Sequence, residues 1–151
     1  MKLSENFTLE EFLVSRTAEI HGIDMTPPKM VVENLQRLVD EVLQPIRNQL
    51  HSPIFVTSGY RPKELNDLIK GSKKSDHLFG RAADIKIMGY TPYQAIQMIE
   101  QIPLPYKQLI NEFQKWIHIS ISREDKEPRM ELLTAGRVDN AIIYQRGNLN
   151  A

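Results

Sequence analysis

The sequence contains no cysteine, so no disulfide holds the fold and no thiolate is available to a metal. Any metal must be held by imidazole and carboxylate groups. It also lacks an excess of either charge. Nineteen Lys and Arg balance nineteen Asp and Glu, with pI near 6.9, so no global field draws the chain to nucleic acid or to an anionic membrane surface. No stretch approaches the run of about 18 apolar residues that spans a bilayer. Met1 to Phe7 likewise has no apolar core of signal-peptide length. The expectation is a soluble protein, synthesised in the cytoplasm and not routed by a signal of its own. Internal repeats and low-complexity linkers are also missing.

What is present is globular in kind. A chain of 151 residues, 41% apolar and 25% charged, is long enough to bury one core and is expected to form one domain over residues 1–151. Thr8 with Glu11 forms a capping-box pattern opening a short helix, with Leu9, Phe12 and Leu13 on one face. Ala18 to Met25 reads as a loop. Thr26-Pro27-Pro28 starts the longest helix, along which Val31, Leu35, Leu38, Val39, Val42, Leu43, Ile46 and Leu50 form one apolar stripe. Pro45 is expected to bend it, because the ring removes a backbone donor and crowds the carbonyl four residues back.

Ile54 to Thr57 reads as a buried strand, and Pro62 as the start of a helix over Glu64 to Ile69. Ala82 to Ile87 alternates, so Asp84 and Lys86 share one strand face and Ala83, Ile85 and Ile87 the other. Thr91-Pro92 opens a further helix. Gln108 to Phe113 and Trp116 to Ser122 read as an antiparallel hairpin, and Met130 to Leu133 or Ala141 to Tyr144 as an added edge strand. Short hairpins without regular strand-helix-strand units predict an α+β fold with a mainly antiparallel sheet and flanking helices.

The chemistry concentrates in Ser75 to Asp84 and in Trp116-Ile117-His118. His77 and Asp84 from one segment and His118 from another make the three-ligand set of a catalytic zinc site with an open fourth position. Gly80 lets the chain bend back between His77 and Asp84, while Ala82 and Ala83 leave room beside them. Each residue taken singly has a plainer reading. His77 could be a locally bonded loop histidine, and His118, between Ile117 and Ile119, a satisfied strand histidine. The combination is the specific signal.

At these positions the chain resembles the LAS-type zinc peptidases, which include D-Ala-D-Ala carboxypeptidases and dipeptidases and the L-alanyl-D-glutamate endopeptidases of phage lysins. Ser75, His77, Gly80, Ala82 and Asp84 match the family pattern Ser-x-His-x-x-Gly-x-Ala-x-Asp, and Trp116 and His118 its later Trp-x-His. The likeness extends to Ser58-Gly59-Tyr60-Arg61, Leu65-Asn66, Gly71-Ser72 and the start at Phe7 to Phe12, and so covers roughly residues 7–122. It is closest to the compact branch found in phages and prophages. The resemblance implies a hedgehog/DD-peptidase-like fold, Zn2+ as cofactor, and His77, Asp84 and His118 as its ligands, with Arg61 and Ser75 near the substrate. It further implies a peptidoglycan stem peptide as partner, a D-amino-acid-containing bond as target, and action at the bacterial cell wall after release by a phage holin. No nucleic acid or membrane partner is expected, and the protein is expected to be a monomer.

Such a site also needs a carboxylate to take a proton from water and return it to the leaving amine. Several relatives carry an acid three positions before the last histidine, where this chain has Lys115. The substitute is Glu112. A hairpin turn of three or five residues puts it directly across from His118 on the same face, whereas a two-residue turn at Gln114-Lys115 puts Asn111 there. Arg61 is a candidate for oxyanion or carboxylate binding, Ser75 for substrate contact or loop capping, and Trp116 for packing beneath the site. Tyr60, His21 and His51 read as loop or surface residues. The alternative to an enzyme is a catalytically inactive module of the same fold that binds cell-wall peptide or serves as a phage structural component.

Overall fold

The computed structural model describes residues 1–150. Six strands form one sheet in the order β1-β2-β4-β3-β5-β6, comprising β1 (Ile54–Ser58), β2 (Ala82–Ile87), β3 (Gln108–Glu112), β4 (Trp116–Ser120), β5 (Glu131–Val138) and β6 (Ala141–Arg146). All neighbours run antiparallel except β3 and β5, which are parallel. The fold is α+β, as expected. Both tail segments are strands, β5 inside the sheet and β6 at the edge opposite β1.

One face of the sheet is covered by a helical run of α2 (Lys29–Leu38), a π-helical turn (Val39–Leu43) and α3 (Gln44–Leu50). The whole predicted apolar stripe of this run is buried, against Ile85, Ile87, Leu109, Ile117 and Ile119. The expected bend at Pro45 takes the form of this wide turn. Gln44 N–H bonds to the Val39 carbonyl, five residues back, so the missing proline donor falls where the backbone pairing has already shifted register. α4 (Lys63–Leu68) follows Pro62, and α5 (Pro92–Ile99) is opened by a Thr91/Gln94 capping box and packs beside β2 and β3.

Residues 18–25 are not all loop. Helix α1 (Arg16–His21) begins at Ser15, whose hydroxyl accepts from Ala18 N–H at 3.1 Å, and stops at Gly22 with φ +62°. Only Ala18 of this helix is buried, so it has no apolar stripe to reveal it, and its caps are the physical signal. Thr8 and Glu11 do form their capping pair, with Glu11 accepting from Thr8 N–H at 2.6 Å, and the helix they open is a single 3-10 turn, Leu9–Phe12. Tyr60 is buried in the core rather than on the surface.

Strand periodicity separates core from site. Ala83, Ile85, Ile117, Ile119 and Leu109 face the helices, so Asp84, His118, Ile110 and Glu112 project from the opposite face. Of the two alanines, Ala83 belongs to the core, and only Ala82 lies on the same face as Asp84.

Candidate metal centre

The segment before β2 is a 3-10 turn, Asp76–Phe79, carrying His77. Ser75 caps it, its hydroxyl accepting from His77 N–H at 3.2 Å. Gly80 ends it at φ +71°, and a Cβ there would stand 2.7 Å from the Val31 carbonyl oxygen. The glycine is therefore required both by the left-handed backbone and by contact with α2. Asp76 anchors the turn from below, accepting from Lys107 Nζ at 2.7 Å and Arg81 Nε at 3.3 Å.

His77 Nδ1 donates to the Gly59 carbonyl at 2.7 Å. A carbonyl can only accept, so this bond places the proton on Nδ1 and leaves the lone pair on Nε2. Gly59 itself is held where a Cβ would come within 2.5 Å of the Phe12 carbonyl oxygen. His77 Nε2 is buried and has no hydrogen-bond partner, yet lies 3.4 Å from Asp84 Oδ1. On the adjacent strand, His118 pairs in register with Asp84, and its Nδ1 lies 3.0 Å from the same Oδ1.

The ligand atoms of His77, Asp84 and His118 all fall within 4.8 Å of one another. Two ligands at about 2.0–2.1 Å from a tetrahedral zinc stand about 3.3–3.4 Å apart, close to the His77–Asp84 separation. The donor set and the orphaned buried nitrogen both fit zinc, and these three residues could hold it. Burial raises the Asp84 carboxyl, but the hydrogen bond from His118 and the neighbouring imidazoles outweigh it and hold the group below the usual carboxylate range. Burial lowers the His77 imidazole, against the pull of Asp84, which keeps it neutral and able to ligate.

The hairpin register differs from both expected alternatives. Its turn is Phe113-Gln114-Lys115, so Glu112 pairs with Trp116 and Ile110 with His118. The turn holds three residues but closes one position earlier than direct Glu112–His118 pairing needs, because Phe113 and Gln114 both adopt left-handed backbone, at φ +59°. Asn111 faces the core side and is fully buried, its carboxamide accepting from Gln114 N–H at 3.1 Å. Glu112 still shares a face with His118, as a diagonal neighbour. Burial raises its carboxyl, Asp84 adds to the rise, and His118 opposes it. Lys115 is exposed in the turn and takes no part in the cavity.

A cavity of about 560 Å³ opens over the three ligands and is lined also by Arg61, Ser75, Glu112 and Trp116. Trp116 is thus part of a wall, not packing beneath the site. Arg61 is half-buried and reaches Ser75 Oγ with Nη2 at 3.4 Å. Several lining residues, Arg129 and Tyr144 among them, escaped the sequence reading. The signal for Tyr144 was available only as a strand parity: with β6 paired to β5 and β5 to β3, Tyr144 falls in one row with Ala135 and Glu112.

The family model for peptidase M15 matches residues 5–120. The chain belongs to the peptidase M15 family. Family membership makes it a metallopeptidase of a zinc-dependent kind, and the His77, Asp84 and His118 group is the one, among the described residues, that could bind the ion. No curated protein matches the chain. The matched segment ends with β4, so the ligand strands and the hairpin lie inside it, whereas β5 and β6 lie beyond it.

Proposed function

We propose that this M15 peptidase hydrolyses a D-amino-acid-containing bond in peptidoglycan stem peptides, as a carboxypeptidase or an endopeptidase. His77, Asp84 and His118 hold zinc in this reading, and Glu112 is the proton-transfer group. The observation that carries it is the buried, unpartnered Nε2 of His77 facing Asp84 and His118, with a carboxylate on the same sheet face. Action at the bacterial cell wall, in a phage or prophage setting, belongs to the same reading through the resemblance of Ser75–Asp84 and Trp116–His118 to that branch.

Zinc bound there supplies Lewis acidity, polarising the scissile carbonyl and acidifying a water. The protein's own groups do the rest. Glu112 takes a proton on its carboxylate and gives it to the leaving amine. Its burial-raised pKa suits a group that must hold that proton for part of the cycle. Arg61 presents a guanidinium at the cavity wall, where negative charge on a substrate oxygen or carboxylate would be stabilised. Ser75 fixes the arginine and the His77 backbone together. Gly59, through its carbonyl, keeps His77 in the ligating tautomer.

The deciding experiment measures zinc content and the release of new amino groups from purified peptidoglycan. The expected result is about one zinc per chain and released amines, both lost in His118→Ala. Zinc bound without amine release would mark a non-catalytic, wall-binding module instead.

A further inference from the structure

Row geometry on the site face separates two sides of the metal group. Asp84, His118 and Ile110 are paired across β2, β4 and β3, and Trp116, Glu112, Ala135 and Tyr144 are paired across β4, β3, β5 and β6 in the next row along the strands. Glu112 is therefore bracketed by two aromatic residues. Trp116 stands one strand away, and Tyr144 two strands away, about 9–10 Å at ordinary strand spacing. Between Glu112 and Tyr144 stands only Ala135, a small residue that is buried and does not line the cavity, whereas Glu112 and both aromatic residues line the same cavity as the metal group. Tyr144 is half exposed and its phenol lies within electrostatic reach of Glu112, so it forms the cavity wall on the β6 side of that carboxylate.

The chemistry assigns a side to this row. A group that returns a proton to the leaving amine must come within about 2.6–3.2 Å of that nitrogen. A nitrogen at that distance from Glu112 lies in the row flanked by Trp116 and Tyr144, which puts the residue that carries it within reach of both rings. The family model ends at residue 120, so Trp116 lies inside the matched region and Tyr144 outside it.

We propose that Tyr144, on the edge strand beyond the family-matched segment, is a substrate-contacting residue that with Trp116 forms an aromatic slot for an aliphatic side chain of the leaving-amine residue. This rests on Glu112 being the proton-transfer group. The contact is made by the ring, and its loss is felt in substrate binding more than in turnover.

Trp116 is the only tryptophan of the chain, which gives a binding signal independent of activity. Titration of the metal-free full-length chain with a purified soluble muropeptide should change Trp116 fluorescence. Tyr144→Ala should weaken that binding roughly 10-fold and raise KM of the zinc-loaded enzyme by a similar factor, with kcat within about 3-fold. Tyr144→Phe should stay within about 2-fold of the parent in both, and Gln145→Ala, on the opposite strand face, should leave both unchanged. Zinc content and thermal unfolding of all three should match the parent. Equal binding by Tyr144→Ala and the parent would overturn the slot while leaving the peptidase reading intact. A parent chain that neither binds nor cleaves the muropeptide would overturn both, and a kcat loss in Tyr144→Phe would show that the hydroxyl acts instead of the ring.

Discussion

Replacing Glu112 by Gln separates catalysis from metal binding in a way the geometry makes specific. Glu112 is not among the three groups whose ligand atoms converge, so zinc should remain at about one equivalent per chain. Its carboxyl is raised by burial and by the Asp84 charge, so in the metal-free chain the ionised form is held at a cost. The neutral amide removes that cost, and stability of the metal-free protein at neutral pH should hold or rise. Activity should move the other way. A positioned acid–base group contributes roughly 10²–10⁴-fold, about 2.7–5.5 kcal/mol of barrier, and kcat should fall by that factor with KM little changed. The assay pairs urea unfolding of the metal-free chain, zinc content, and amine release from peptidoglycan. Undiminished activity in Glu112→Gln would refute the assignment of the base. Loss of zinc would show that Glu112 is a ligand, and the geometric argument would fail with it.

Other perturbations test the parts that support the site. Acid should destabilise the metal-free protein through His77: burial lowers its folded-state pKa, so between that value and the unfolded value near 6.5 the unfolded chain binds more protons, and stability falls as pH drops below about 6.5, by at most about 1.4 kcal/mol per pH unit for one proton. His77→Gln should flatten this slope in urea melts between pH 7.5 and 5.5, and an unchanged slope would assign it elsewhere. Gly80→Ala should cost about 1–3 kcal/mol from its left-handed backbone alone, and more from the close approach to Val31, with zinc affinity falling as the His77 turn shifts. Leu35→Ala, at a fully buried position, should cost about 2–5 kcal/mol in thermal or denaturant unfolding without changing zinc stoichiometry in the folded protein.

Much of this molecule was legible in one dimension because its periodicities are strong. The helical stripe from Val31 to Leu50 declares a core-facing helix wherever it packs, and the alternation over Ala82–Ile87 puts Asp84 opposite Ile85 whatever the neighbouring strand. The metal group was legible for a different reason: His77, Asp84 and His118 are specific only in combination, and they fall with Ser75, Gly80, Ala82 and Trp116 in the pattern that resembles the LAS-type peptidases. Helix α1 was not legible, since it buries only Ala18 and lives on its caps.

The tertiary structure decided what periodicity leaves free. Strand parity says which residues share a face but not which residues meet, because sliding a hairpin by two keeps every face and changes every pair. Here the left-handed residues Phe113 and Gln114 set the slide, giving Glu112 to Trp116 and leaving it diagonal to His118. The parallel addition of β5 to β3, a pairing between segments with no local turn to announce it, carries Tyr144 into the row of Glu112. Residue chemistry alone determined that the chain could hold a metal. The register of three strands determined what stands beside it.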